Sequence, residues 1–157
     1  MHTVSKFIKY LIACCTISLL GQTAVAQAPF HKTIALEEEN SSLRINVLFK
    51  DRNGLLWVGS SEGLYKITGN KTVKVTGPGT EKCQVTAIGQ ETGGTMWIGC
   101  KSGKIFSLTN KTAEAFKPEE GLPKEAITSI SADAMGRVWF GTGGEGIYVY
   151  DKKYFNN

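Results

Sequence analysis

The sequence is poor in the side chains that most often carry catalysis or hold metals. It has two histidines, His2 and His31, and both lie ahead of the repeated region described below. None of its four cysteines belongs to a Cys-x-x-Cys pair. A zinc-type site needs a cluster of such ligands at defined spacing, which this distribution does not supply. We therefore expect no catalytic residue, no metal site and no cofactor, and we expect that the protein is not an enzyme.

Long hydrophobic runs are also scarce, because the one extended apolar stretch covers residues 10–20. It follows the basic residues Lys6 and Lys9 and precedes Ala24-Val25-Ala26. A basic start, an apolar middle and a small-residue cleavage site together form a secretory signal peptide. The run is about half of the ~20 residues that a membrane-spanning helix needs. The sequence thus predicts a signal peptide over residues 1–26, a periplasmic or secreted mature protein, and no membrane span.

Cys14 allows a second interpretation of the same segment. Leu11-Ile12-Ala13-Cys14 is similar to a lipoprotein cleavage box, in which Cys14 would carry a lipid anchor. However, Lys9 leaves almost no apolar run ahead of Cys14, and the hydrophobic stretch continues beyond it. The sequence therefore favours cleavage after residue 26.

The mature chain has a nearly balanced charge. Removing 26 residues from 157 leaves 131, enough for one small domain with a core. Two of the 18 Lys and Arg residues lie in the signal, which leaves 16 basic residues against 14 acidic ones. The basic residues are scattered and form no stripe interleaved with aromatic residues, so we do not expect nucleic acid as a partner.

Export would leave two cysteines, Cys83 and Cys100, in a compartment where disulfides persist. A hairpin that turns at Thr92-Gly93 would bring them near each other without placing them directly opposite, and disulfide geometry is exacting. The sequence is therefore compatible with two alternatives, a disulfide between these cysteines or two half-buried free thiols.

The most informative feature is an internal repeat aligned on Trp57, Trp97 and Trp139, which lie 40 and 42 residues apart. Each tryptophan follows an acidic residue by six positions and a glycine by three, and precedes a glycine by two. The acidic residues are Asp51, Glu91 and Asp133. A period of this length is typical of solenoids and propellers.

Short strand-like runs recur around each tryptophan. Runs rich in β-branched residues precede it at 43–49, 85–88 and 127–130, and partly alternating runs follow it at 63–67, 103–108 and 146–150. Further strand candidates lie at 72–75, 112–116 and 154–155. Turn residues separate the strands at Asn53-Gly54, Gly93-Gly94, Met135-Gly136, Asn70-Lys71 and Asn110-Lys111.

Four short strands per unit of about 40 residues predict an all-β protein. We expect three four-stranded antiparallel blades of a partial β-propeller, at about residues 41–79, 80–120 and 121–157, after a lead-in segment over 27–40. Long helices are disfavoured because the chain contains 18 glycines.

The pattern Asp-x-x-Gly-x-x-Trp-x-Gly, followed by glycine and an aromatic residue, resembles the two-component-regulator propeller repeat. That family forms the periplasmic sensor region of hybrid histidine kinases. The resemblance covers residues 41–151 and is best kept in Ile127–Tyr150, with Gly121-Leu122-Pro123 ahead of it. The chain departs from the family pattern where Ser60 and Cys100 replace the usual threonine kept as Thr142, and where Glu91 replaces the usual aspartate.

The resemblance implies an extracytoplasmic ligand-sensing or binding segment, with a glycan or another small molecule as ligand. Since the chain stops after the third blade and carries no kinase elements, we expect a truncated or split sensor region that works with a sensor-kinase partner. A structural interaction module that completes a propeller by self-association is the alternative. A propeller lyase is disfavoured because the blades contain no histidine. The residues that would contact a ligand are not identified by the sequence.

The repeated residues have structural interpretations beside the functional ones. Tryptophans flanked by apolar residues are expected to form inter-blade core, although they could stack on a sugar. Acidic residues that open a glycine turn are expected to bond the turn backbone, although they could ring a ligand or cation. The Asn-x-Thr motifs at Asn70 and Asn110 read as hairpin turns, and Asn40 carries a third such motif.

Overall fold

In the computed structural model, the chain is described over residues 43–109, 112–119 and 121–157. The predicted signal peptide, the lead-in segment, Cys14, Asn40 and the Asn110-Lys111 turn lie outside these residues. The described part of the chain consists of strands, turns and loops, and none of it forms a helix that could cross a membrane.

Twelve strands form three sheets. Blade 1 contains β1 (Ile45–Lys50), β2 (Leu56–Ser60), β3 (Gly63–Thr68) and β4 (Lys71–Val75). Blade 2 contains β5 (Val85–Gln90), β6 (Met96–Cys100), β7 (Ile105–Thr109) and β8 (Thr112–Ala115). Blade 3 contains β9 (Ile127–Ala132), β10 (Val138–Thr142), β11 (Ile147–Tyr150) and β12 (Phe155–Asn156). Each blade is antiparallel and keeps its strands in sequence order, so the predicted all-β fold with three four-stranded blades is confirmed.

A tight turn joins the first and second strands of every blade. Gly54, Gly94 and Gly136 have φ angles of 81°, 96° and 81°, a left-handed conformation that glycine adopts without a steric cost. This requirement explains why a glycine stands three positions before each repeated tryptophan.

A β-bulge recurs at the start of each first strand. Ile45, Val85 and Ile127 pair with Ser60, Cys100 and Thr142, and the next paired residue lies two positions further along the first strand. The three blades therefore share one register, and residues at equivalent positions can be compared directly.

The hydrophobic core lies between the blades. The first strands of neighbouring blades are in contact, β1 with β5 and β5 with β9. One core cluster joins blades 1 and 2 and includes Trp57, Leu64, Val85, Ile98 and Phe106. A second joins blades 2 and 3 and includes Trp97, Ile105, Ile127, Phe140 and Phe155. Sheets that pack face to face in sequence order form the architecture of a propeller.

Cys83 and Cys100 form a disulfide, with their Cα atoms 5.6 Å apart. Cys83 lies in the loop before β5, Cys100 ends β6, and both are buried. The structure thus selects the disulfide from the two states that the sequence left open.

Candidate functional site

The acidic residue of the first repeat is bonded entirely within its own blade. One carboxylate oxygen of Asp51 accepts hydrogen bonds from the backbone N–H groups of Asn53 and Leu55, each at 2.9 Å. The other accepts from Trp57 Nε1 at 2.9 Å. Burial raises the pKa of Asp51, but the hydrogen bonds from Trp57, Leu55 and Asn53 outweigh it and hold the pKa below its usual value.

Asp133 repeats this arrangement in blade 3. Its carboxylate accepts from the backbone of Met135 and Arg137, from Trp139 Nε1 at 3.0 Å, and from Arg137 Nε at 2.6 Å. Desolvation raises the pKa of Asp133, yet the bonds from Trp139 and Arg137 lower it to about 2. Asp51 and Asp133 therefore have the predicted structural role of fixing the turn and the tryptophan.

Blade 2 lacks this arrangement. Glu91 is buried at the equivalent position, and its Oε1 lies beside Gly93. Trp97 Nε1 is buried and has no hydrogen-bond partner. The longer glutamate side chain therefore does not reproduce the aspartate contact, a consequence that the sequence alone did not reveal.

The three tryptophans differ in exposure. Trp57 and Trp97 are buried between blades, so the predicted core role is confirmed for both. The Trp97 ring makes edge contacts with Phe116, Phe140 and Tyr150, with centroids 5.2–5.6 Å apart. Trp139 is only half-buried, and the Arg137 guanidinium lies 5.0 Å from the centre of its ring. The core interpretation stays a prediction for Trp139, because no further sheet covers its face within the described residues.

One segment of blade 1 has the residue spacing of a catalytic-serine motif. Gly59–Gly63 has the Gly-x-Ser-x-Gly spacing of a nucleophile elbow, but this segment is the β2–β3 hairpin and not a strand-to-helix turn. Ser61 Oγ accepts a hydrogen bond from the Arg44 backbone at 3.1 Å. In the parts of the chain that the structure describes, no group of three or more His, Cys, Asp and Glu residues could hold a metal ion.

A groove of about 400 Å³ lies where the end of blade 2 meets the last hairpin of blade 3. It is lined by Phe116, Lys117, Pro118, Glu119, Tyr150, Lys153, Tyr154 and Phe155. The Phe116 and Tyr150 rings meet edge to face at 4.9 Å. Tyr154 is 46% exposed, and Lys153 Nζ lies 4.8 Å from its ring centre. The exposed Tyr154 ring beside lysine and glutamate suits a small ligand with one apolar face and polar substituents.

The sequence did not identify this groove. The sequence predicts only a strand at Tyr154 and Phe155, and residues 117–119 belong to a loop between blades 2 and 3. Residues more than 30 positions apart come together only because β12 packs beside the end of blade 2, which no local motif encodes.

Taken with the packing of the sheets, the repeated Asp–Trp arrangement places this chain among β-propeller proteins. A family model described as "Two component regulator propeller" matches residues 40–62 and 121–144. These matches fall on the first and third repeats, the two that keep the Asp–Trp hydrogen bond. The resemblance to the two-component-regulator propeller repeat that the sequence pattern predicted is thus confirmed by the family model for the repeats of blades 1 and 3.

Solved structures show the same fold. The extracellular domain of a putative hybrid two component system from B. thetaiotaomicron is 26% identical, with a TM-score of 0.60 over 76% of this chain and 17% of that chain. The extracellular domain of a putative one component system from the same organism is 20% identical, with a TM-score of 0.57 over 70% of this chain and 17% of that chain. This chain thus covers about one sixth of either structure.

A virginiamycin B lyase from Staphylococcus aureus is 18% identical, with a TM-score of 0.59 over 71% of this chain and 40% of that chain. At this identity the likeness concerns the fold alone. No curated protein matches the sequence significantly.

Proposed function

We propose that this chain is an extracytoplasmic binding segment of the two-component-regulator propeller type, which recognises a small ligand and is not an enzyme. The observation that carries the proposal is the repeat itself. It matches the family model in two of three blades, and a 26% identical structure is the extracellular domain of a two component system. A sensor-kinase chain is the partner that this origin suggests.

A binding role agrees with how the acidic side chains are used. Asp51 and Asp133, the most obvious candidates for acid–base chemistry, are bonded to their own turns and tryptophans. Their lowered pKa values keep them ionised near neutral pH, where a carboxylate acid catalyst would have to hold a proton.

We propose the groove between blades 2 and 3 as the ligand site. Its exposed Tyr154 ring offers a face for a sugar ring, and Lys117, Lys153 and Glu119 offer hydrogen bonds to hydroxyl or carboxylate groups. A glycan fragment combines these features, and we take it as the ligand class.

The ligand proposal is tested by calorimetric titration of the purified chain with a panel of neutral and acidic oligosaccharides. We expect saturable binding of at least one member, a loss of tenfold or more in Tyr154→Ala, and no change in Met135→Ala, which alters an exposed side chain outside the groove. Failure of the whole panel would overturn the glycan assignment. Binding that Tyr154→Ala retains in full would remove the groove as the site.

The proposed extracytoplasmic location of the protein is tested by a separate experiment. We expect the protein recovered outside the cytoplasm to begin at Gln27, which amino-terminal sequencing measures directly. A mature protein that begins at a lipidated Cys14 would support membrane anchoring instead, and a cytoplasmic protein that keeps Met1 would contradict export.

A further inference from the structure

The interface between blades 2 and 3 is closed by two aromatic rings. The rings of Phe116 and Tyr150 pack edge-on against Trp97, with centroids 5.2 and 5.5 Å away. Phe116 follows strand β8 of blade 2, and Tyr150 ends strand β11 of blade 3. Both rings line the groove at this interface, whereas Trp97 does not. The two rings therefore separate the tryptophan from the groove.

The interface between blades 1 and 2 has smaller side chains at the equivalent positions. Leu108 takes the place of Tyr150, because each pairs with the residue that precedes the repeated tryptophan of its own blade. Val75 takes the place of Phe116, because each is bonded to the third-strand residue that pairs with the glycine two positions after the tryptophan. A valine and a leucine thus replace the two rings.

A cavity of about 240 Å³ lies at this first interface, beside Val75 and Leu108. Trp57 forms part of its wall, and Val73 adds to the apolar lining. An apolar cavity of about 150 Å³ is large enough to hold benzene. The cavity therefore has room for one aromatic ring from a ligand, at an interface whose counterpart between blades 2 and 3 is filled by rings of the protein.

The charged groups of this cavity are basic. Lys66, Lys74 and Thr76 line it together with the apolar residues, and none of its described lining residues is Asp or Glu. Lys66 lies between Trp57 and Val73 across the sheet and is half-buried. A lysine of this kind packs its aliphatic stem on apolar surface and keeps its ammonium group at the edge. The cavity thus combines a ring-sized apolar space with positive charge.

The lysine is specific to the first interface. At the equivalent position, blade 2 has Ser107 and blade 3 has Val149. A second cleft beside Lys66 contains Asp51, whose carboxylate oxygens accept hydrogen bonds from its own turn and tryptophan. Within the described residues, Asp51 forms no ion pair with Lys66. The Lys66 ammonium group is therefore available to an anion.

We propose that the cavity between blades 1 and 2 binds a small aromatic carboxylate, with one ring and one acid group. The ring lies against Trp57, between Val75 and Leu108. Lys66 donates a charge-assisted hydrogen bond to the carboxylate. A sugar suits this cavity less well, because the lining side chains offer ammonium donors but a single hydroxyl acceptor for its many hydroxyl groups.

This cavity is distinct from the groove proposed as the glycan site. The two have no lining residue in common, and they lie at different interfaces between blades. Binding of an aromatic acid at the first interface therefore stands or falls independently of the proposed function.

The ligand class is tested on the purified full chain with phenylacetate, its uncharged amide phenylacetamide, and acetate. Binding is followed by the tryptophan indole N–H signals in heteronuclear NMR spectra. We expect saturable shifts with phenylacetate, largest for Trp57, an affinity at least tenfold weaker for the amide, and no measurable binding of acetate. No saturable binding of phenylacetate, or an amide that binds as tightly as the acid, would overturn the proposal.

Two substitutions test the residues of the cavity. Val75→Phe supplies the ring that blade 2 has at the equivalent position, so it should fill the cavity and weaken phenylacetate binding at least tenfold without lowering Tm. Lys66→Met keeps an aliphatic stem but removes the charge, so it should weaken phenylacetate binding at least tenfold and leave the binding of the amide unchanged.

Lys101→Met is the matched control for the loss of a lysine. Lys101 is exposed in the hairpin between β6 and β7 and does not line the cavity. We expect this variant to bind phenylacetate as the parent chain does. Phenylacetate binding that survives Lys66→Met or a folded Val75→Phe variant would overturn the proposal, and so would an equal loss in Lys101→Met.

Discussion

Replacing Glu91 by aspartate should stabilise the protein. In blades 1 and 3 the tryptophan Nε1–H donates a hydrogen bond to an aspartate Oδ2, with N···O distances of 2.9 and 3.0 Å. In blade 2 the corresponding Trp97 Nε1 is buried without a partner. Removing one methylene at position 91 restores the side-chain length that places a carboxylate oxygen on the indole in the other two blades.

The expected gain follows from two opposing contributions. A hydrogen bond to a charged group stabilises a protein by about 1.5–3 kcal/mol. The new bond would also remove the desolvation penalty of the buried, unpaired Trp97 Nε1–H. Loss of one buried methylene costs about 0.8 kcal/mol. The net gain is about 1 kcal/mol or more, which corresponds to a rise in Tm of roughly 4 °C for a domain of this size.

Thermal and urea unfolding followed by tryptophan fluorescence measures this gain. Asp51→Glu is the matched control, because it introduces in blade 1 the side chain that blade 2 carries. We expect that control to lose about 1–3 kcal/mol, since it breaks the bond to Trp57. If Glu91→Asp leaves Tm unchanged or lowers it, or if Asp51→Glu is as stable as the parent, the Asp–Trp bond does not stabilise the blades as argued.

Three further results are expected. Removing the disulfide by Cys83→Ser should lower stability by about 3 kcal/mol, the chain-entropy value for a loop of about 17 residues, and reductant should then have no added effect on urea unfolding. The lowered pKa of Asp133, about 2, means that its contribution is complete above the unfolded value near 4 and is lost as pH falls towards 2. Asp133→Asn should therefore show a flatter stability profile over that window, and an unchanged profile would contradict the assignment. Thr86→Val should cost about 1 kcal/mol by removing the hydrogen bond from Thr86 Oγ1 to the Ile127 carbonyl of blade 3, whereas Thr128→Val, at the equivalent exposed position of blade 3, should cost nothing, and equal losses would refute the distinction.

The strands and turns could be predicted because their causes are local. A left-handed turn requires glycine wherever it occurs, so Gly54, Gly94 and Gly136 mark the same hairpin in each repeat. In blades 1 and 3 the aspartate likewise accepts a hydrogen bond from the tryptophan six positions further along the chain. Three copies in one register then imply three similar sheets.

Other features depend on distant neighbours and could not be predicted. Trp57, Trp97 and Trp139 have the same local pattern, but their burial is set by whatever sheet lies on the next face. The groove beside Tyr154 combines a loop of one blade with the last hairpin of another. The disulfide depends on where the loop before β5 places Cys83, which strand periodicity does not determine.

Blade 2 also lacks a second contact that its neighbours share. Ser60 Oγ donates to the Gly63 carbonyl at 3.1 Å, and Thr142 Oγ1 donates to the Gly146 carbonyl at 2.9 Å, so each hydroxyl closes the hairpin after the second strand. The equivalent residue, Cys100, is joined to Cys83 instead. Blade 2 thus has neither the Asp–Trp bond nor the hydroxyl contact, and it has a covalent link that blades 1 and 3 do not show.

This exchange of contacts leads to a testable difference between two disulfide-free variants. Cys83→Ala with Cys100→Thr restores a hydroxyl at the hairpin, whereas Cys83→Ala with Cys100→Ala does not. We expect the threonine variant to be more stable by about 1 kcal/mol in urea unfolding, the value of one hydrogen bond. If both variants lose the same stability, the disulfide is not a substitute for the hydroxyl contact. Blade 2 would then be held chiefly by the cores on its two faces, which bury Trp97 and Phe106.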